Sequence, residues 1–220
     1  MNKDDNEKIK VLITDDHAVF RTGVKSSLSH YTDIEFIGEA ENGVQLLHLI
    51  NSLQPDVILL DIQMPVMDGI TTLPQVKKIL PNAKIIMLTM SDDAGMISKL
   101  MEIGANSYLI KNSDSETIYE AIKTVYTKDF FFNDYTNKAM LSGLRSKKAS
   151  QQPLLDDADL SDKETQVLKL MCNEKSTKEI ADIVDISPRT VEAIRDRLKI
   201  KIGAKSTAGL ILYAVKHGIA

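Results

Sequence analysis

Val57–Gly69 reads VILLDIQMPVMDG, an apolar run that ends on Asp61 and enters a loop punctuated by Pro65 and Gly69. A short run of Val, Ile and Leu bounded by turn signals describes a strand buried on both faces, the kind that parallel sheets use. The same design recurs along the chain. Val11–Thr14 runs into Asp15-Asp16, Ile34–Gly38 follows, Ile85–Leu88 runs into Thr89, and Tyr108–Ile110 runs into Lys111. Between these runs lie stretches of helical period near 18–30, 43–53, 70–80 and 94–103, with a fifth at 114–126. Five βα units in succession predict a doubly wound, five-stranded parallel sheet with helices on both faces and right-handed crossovers.

In such a sheet the strand ends share one edge, and ligands bind there beside the point where strand order reverses. Asp15, Asp16 and Asp61, the hydroxyl of Thr89 and the ammonium of Lys111 therefore converge on one crevice. Three carboxylates that close do not all stay ionised without a cation, because like charges raise one another's pKa. Oxygen ligands of this kind suit Mg²⁺.

Residues 9–126 resemble the receiver domain of two-component response regulators, a flavodoxin/CheY-like fold. The resemblance is carried by Asp15-Asp16, by Asp61 followed by Met64-Pro65-x-Met67-Asp68-Gly69, by Thr89, and by Lys111 after Tyr108-Leu109-Ile110. It implies that Asp61 accepts a phosphoryl group from a partner histidine kinase. It also implies that Asp15, Asp16, Asp61 and the backbone carbonyl of Gln63 hold Mg²⁺, and that Thr89 and Lys111 bind the phosphoryl oxygens. Those roles suit phosphoryl transfer, where catalysis is mostly positioning and charge neutralisation. Tyr108 matches the family's aromatic switch, which turns inward as Thr89 swings towards the phosphate. Asn112 departs from the pattern, since a proline often follows the lysine. His17 reads as a solvated neighbour of a helix start, and Pro65 and Gly69 as shapers of the loop backbone.

The charge is divided along the chain. The first 142 residues hold 20 acidic side chains against 13 basic, whereas residues 160–220 hold 11 basic against 8 acidic. Two modules with different partners are expected: 1–138 as receiver, 139–159 as a linker rich in Gly, Ser, Gln, Pro and charge, and 160–220 as a helical module. No apolar run reaches the ~18–20 residues of a membrane span, the charged N-terminus lacks a secretory pattern, and the single Cys172 fits a reducing compartment. A soluble cytoplasmic protein is expected, with Cys172 buried and unreactive. The four scattered histidines form no zinc pattern.

In the second module Ser161-x-x-Glu164 and Ser176-x-x-Glu179 match capping boxes, Ser187-Pro188 places an N-cap beside a first-turn proline, and a last helix runs from Thr207 to Lys216, stopping at Gly218. From Pro188 onward, Val191, Ile194, Leu198 and Ile202 form one apolar stripe. The opposite face carries Arg189, Glu192, Ala193, Asp196, Arg197 and Ile200, with Arg195, Lys199 and Lys201 towards the flanks.

Leu160–Gly218 resembles the LuxR-type helix-turn-helix of the NarL/FixJ class. The resemblance rests on Leu160-Ser161-x-x-Glu164, Lys178-Glu179-Ile180-Ala181, Ile186-Ser187-Pro188-Arg189-Thr190-Val191, Lys201-Ile202-Gly203 and Ala214-x-x-x-Gly218. It implies double-stranded DNA as partner. Arg189, Thr190, Glu192, Ala193, Asp196 and Arg197 would then face the groove, and Arg195, Lys199 and Lys201 would meet phosphates. Family members often carry lysine at Glu192 and histidine at Ile194, so the target sequence does not transfer from relatives. The whole chain is then a transcription regulator, not an enzyme beyond its own phosphoryl chemistry, and pairs as a homodimer on phosphorylation. A rival reading keeps the receiver pocket but gives the output module a protein or RNA partner, which Glu192, Asp196 and the small positive charge favour.

Overall fold

The computed structural model describes residues 8–90, 94–132, 160–173, 175–204 and 206–219. The chain forms two compact units. In the first part of the chain, strands β1 (Ile9–Thr14), β2 (Ile34–Ala40), β3 (Val57–Asp61), β4 (Lys84–Thr89) and β5 (Ser107–Ile110) alternate with helices α1 (Ala18–Ser27), α2 (Gly43–Leu53), α3 (Gly69–Ile79), α4 (Ala94–Ile103) and α5 (Ser115–Lys128). All four strand pairings are parallel, in the order β2-β1-β3-β4-β5. The order reverses between β1 and β3, which opens the crevice at their carboxyl ends. Residues of β1, β3 and β4 such as Leu12, Ile13, Ile58, Leu59, Ile85 and Ile86 are fully buried, as expected of strands covered on both faces.

Three element boundaries have a local cause. α1 stops at Ser27, short of the expected residue 30, where the hydroxyls of Ser27 and Ser29 donate to the carbonyls of Val24 and Ser26. α3 starts at Gly69 because the Asp68 carboxylate accepts from the Thr71 N–H at 2.7 Å, an N-cap. β1 starts at Ile9, before the apolar run proper, since Lys10 interrupts the run while still pairing with Glu35. The expected linker, 139–159, lies outside the described residues, as does 133–138 of the expected receiver.

The second unit contains α6 (Asp162–Cys172), α7 (Thr177–Val184), α8 (Pro188–Ile202) and α9 (Thr207–Lys216). Both capping boxes form: Ser161 with Glu164 opens α6, and Ser176 with Glu179 opens α7. Ser187 caps α8 with Pro188 in its first turn, and Gly203, at φ +74°, ends it in the left-handed conformation that glycine adopts without penalty. Val191, Ile194, Leu198 and Ile202 all point inward against Val167, Leu168 and Ile180. Burying four such side chains contributes about 1.5–3 kcal/mol each before the entropy of ordering is subtracted. Ile194 lies in this core, so an apolar residue there serves packing. No helix among the described residues is long and apolar enough to cross a membrane.

Candidate functional site

The carboxyl ends of β1, β3, β4 and β5 bring the expected charged groups together. Lys111, one residue beyond β5, places its Nζ 2.7 Å from Asp15 Oδ2 and 2.7 Å from Asp61 Oδ2. All three side chains are almost wholly buried, and the ammonium lies 5.2 Å from the centre of the Phe20 ring. Burial raises the Asp61 carboxyl above its ordinary value, and the neighbouring charge of Asp15 adds to this against the pull of Lys111. Burial alone would lower Lys111, but its bonds to Asp15 and Asp61 outweigh this and hold it raised, firmly protonated.

The loops complete the pocket. Asp61 Oδ1 accepts from the Gln63 N–H at 3.3 Å. Asp15 Oδ1 accepts from the His17 N–H at 2.8 Å, and the His17 ring places Nδ1 2.8 Å from Asp16 Oδ1 and 3.2 Å from Asp15 Oδ1. Arg21 Nη1 donates to the Asp15 carbonyl at 2.5 Å and Nε to Glu39 at 3.1 Å, fixing the loop from below. Thr89 is buried at the end of β4, and its carbonyl accepts from the Lys111 N–H at 2.7 Å. The Tyr108 ring is buried in β5, opposite Met87 in the strand register. Ligand atoms of Asp15, Asp16, His17 and Asp61 all lie within 4.8 Å of one another. Three carboxylates at that spacing, with one cation between two of them, fit a hard divalent ion with oxygen ligands.

Two loop features escape a reading of the sequence alone. A Cβ at Gly69 would stand 2.1 Å from the Asp61 carbonyl oxygen, so glycine is required by close approach of α3 to the end of β3 and not by an unusual torsion. The positive φ in this loop belongs to Val66, at +68° and 84% exposed. Arg21 was also legible in principle: it occupies the inward stripe of α1 with Val24, and a charge in such a stripe signals a buried partner.

On α8 the exposed face is the expected one. Arg189, Thr190, Glu192, Ala193, Asp196, Arg197 and Ile200 are exposed, Ile200 to 81%. Thr190 is drawn into the cap, its hydroxyl 2.8 Å from Ser187 Oγ. Two flank assignments are corrected. Arg195 is buried, donating from Nη1 to Thr177 Oγ1 and Glu192 Oε1 (2.9 Å each) and from Nη2 to Thr207 Oγ1 at 2.9 Å; it is an internal tie and not a phosphate contact. Burial lowers it to about 10, still protonated at neutral pH. Lys201 reaches back 2.7 Å to the buried Glu164 carboxylate, which its bond holds below the usual range. Lys199 stays at the flank, 3.3 Å from Asp196.

Comparison with known proteins bears on both parts. Residues 11–123 match the response regulator receiver domain family, and residues 158–214 match the bacterial regulatory proteins of the luxR family. The chain belongs to the response regulators. Such regulators combine here a receiver with a LuxR-type DNA-binding domain, in a transcription regulator of a two-component system. Among relatives of this regulator is the response regulator protein VraR of Staphylococcus saprophyticus, 31% identical over 211 residues, 96% of this chain and 98% of that one. Another is the oxygen regulatory protein NreC of Staphylococcus aureus, 32% identical over 213 residues, 94% and 97% of the two chains. In fold the regulator is similar to the RcsB response regulator of Salmonella typhimurium, with a TM-score of 0.58 at 23% identity, covering 95% of this chain and 99% of that one. The response regulator ChrA of a heme-sensing two-component system gives a TM-score of 0.51 at 26% identity, covering 97% and 99%.

Proposed function

We propose that Asp61 is the phosphoacceptor of this regulator, taking a phosphoryl group from a histidine kinase. The observation that carries this is Lys111 Nζ, 2.7 Å from both Asp15 and Asp61. A carboxylate nucleophile is held at the strand end, open to the loops, with a fixed cation beside it to meet the charge that arrives. Transfer breaks the phosphorus–nitrogen bond of a phosphohistidine and forms a phosphorus–oxygen bond to Asp61, and the imidazole leaves with its electron pair. Lys111 neutralises negative charge on the transferred oxygens, Thr89 offers a hydroxyl, and Tyr108 follows Thr89 as the aromatic switch. Asp15, Asp16, Asp61 and the Gln63 carbonyl would hold Mg²⁺, which when bound offsets the charge of the incoming phosphoryl group. Catalysis by this chain is confined to its own phosphoryl transfer and its loss.

The output is DNA binding through α8, with 1–138 as receiver, 139–159 as linker and 160–220 as DNA-binding module. Arg189, Thr190, Ala193, Asp196 and Arg197 face the groove and Lys199 meets phosphate. The fold relative RcsB has been captured as two dimers bound to two parallel DNAs, and a homodimer formed on phosphorylation is the arrangement proposed here. A cytoplasmic location fits these partners.

The test is mass spectrometry of the intact protein after acetyl phosphate and Mg²⁺. Wild type gains one phosphoryl group; Asp61→Asn, or a chelator, abolishes the gain. Labelling of Asp61→Asn at another carboxylate would falsify the assignment. Light scattering before and after labelling reads the dimer, and salt-dependent duplex binding reads the output.

A further inference from the structure

Acidic side chains are out of place on a surface meant for a polyanion, yet α8 presents Glu192 and Asp196 on its exposed face. The two are held differently. Asp196 is exposed and stands against Lys199 alone, at 3.3 Å. Glu192 Oε1 accepts from Thr177 Oγ1 at 2.7 Å and from Arg195 Nη1 at 2.9 Å, while Oε2 takes no hydrogen bond among the described residues. Arg195 is in turn fixed to Thr207 at 2.9 Å and ion-paired with Asp129. Its guanidinium thus ties together the starts of α7 and α9 and the middle of α8.

This geometry has three chemical consequences. The buried guanidinium, which it shares with Asp129, offsets part of the carboxylate charge, so bringing Glu192 into the negative field of a duplex costs less than for a bare anion. The rotamer is set before binding, so little side-chain entropy is lost on contact. The second oxygen is an acceptor only. Glu192 also lies about 6 Å along the helix from Pro188, in the N-terminal stretch that a recognition helix turns towards base edges. Donors on the major-groove edge are the amino groups of cytosine N4 and adenine N6. Adenine sets its N7 acceptor beside the amino group, where it repels a carboxylate, and cytosine does not.

We propose that Glu192 is a base-reading residue that selects cytosine at one position of each half-site, with Arg195 and Thr177 as its positioning residues. This rests on the DNA-binding reading of α8 and names what that surface recognises. The lysine expected at this position would add phosphate affinity; the glutamate exchanges that affinity for discrimination.

The experiment is selection of duplexes from a library with a randomised core, using the full-length protein treated with acetyl phosphate. Wild type is compared with Glu192→Ala, Glu192→Gln, Thr177→Val and Arg195→Lys, each checked by circular dichroism. Wild type is expected to enrich cytosine at one defined position per half-site. Glu192→Ala loses that preference alone, with a drop in affinity for the selected duplex of about five- to fiftyfold. Thr177→Val, which removes the hydrogen bond to Glu192 and the one from Arg195, broadens the same position to a lesser degree, a change that loss of stability would not confine to one base. An unchanged consensus in Glu192→Ala overturns the proposal, as does tighter binding of every duplex by Glu192→Ala and Glu192→Gln, which would mark the glutamate as a simple repeller of phosphate. Salt-dependent retention of duplexes with no consensus in wild type overturns it while leaving DNA binding intact. Failure to retain any duplex overturns both.

Discussion

Replacing Lys111 by methionine leaves Asp15 and Asp61 buried beside each other without their shared cation. Their side chains are 0% and 3% exposed and that of Lys111 7%, so solvent screens little of the interaction. Removing one partner of such a buried pair costs about 3–5 kcal/mol, a large share of the roughly 5–15 kcal/mol that holds a domain folded. The sign with pH is opposite to that of an ordinary salt-bridged acid. Burial and Asp15 already raise Asp61, and removing the lysine raises it further. The folded variant then binds protons that the unfolded chain does not, so its stability grows as pH falls towards the carboxylate range. Asp61→Asn in the Lys111→Met background removes one of the two uncompensated charges together with their mutual repulsion, and restores part of the loss. The assay is denaturant-dependent hydrogen exchange of the β3 amides, Val57–Asp61, in the full-length protein, which isolates the receiver's stability. Equal destabilisation in the single and double variants, or a loss below about 1 kcal/mol in Lys111→Met, would refute the reasoning.

Val66 carries a left-handed φ that a β-branched residue adopts at a cost of about 1–2 kcal/mol, so Val66→Gly is expected to raise the unfolding free energy of the receiver by about 1 kcal/mol, read as a higher urea midpoint. Gly69→Ala drives a methyl group into the Asp61 carbonyl and should slow phosphorylation and lower stability together, read by mass spectrometry and hydrogen exchange. Glu164 is buried and lowered chiefly by its bond from Lys201; its contribution is present above the ordinary glutamate range and lost as pH falls through its folded value. Acid unfolding of the helical unit followed by circular dichroism should therefore be less steep in Glu164→Gln. Cys172 is half-buried and not buried as expected, and the burial it has pushes the thiol up to about 11, so iodoacetamide at pH 8 should modify it more slowly in the folded than in the unfolded protein, as judged by intact mass.

The sheet was legible because burial on both faces writes an uninterrupted apolar run, and four of the five runs end on a residue of the pocket. Boundaries slipped where a long polar side chain stood inside a strand, as at Lys10 and Lys84. The pocket residues were legible by type and position, but their pairing was not. Nothing in the order of residues says that Lys111 spans Asp15 and Asp61 equally, or that His17 turns its ring onto the acidic pair. On α8 the stripe was placed correctly, and the failures were both cations. A helical wheel sets Arg195 and Lys201 at the margin of the stripe, and a margin charge is read as solvated. Thr177, Thr207 and Glu164 come from three other helices, and only their assembly supplies the partners that draw those cations inward.

With Arg195 and Lys201 turned to internal duty, Arg189, Arg197 and Lys199 are the cations that α8 has left for a duplex among the described residues. Even with all three on phosphate in the proposed complex, α8 would contribute a salt slope no steeper than about −2.7, shallow beside the value near −10 of a strongly basic repressor. In the proposed mode of binding, α8 by itself would grip arbitrary sequence loosely. In the homodimer proposed above, a second copy bound alongside supplies the rest, and promoter occupancy then climbs with the square of the active concentration. A receiver that governs pairing controls a response with a threshold, and the weakness of each helix alone is what sets that threshold.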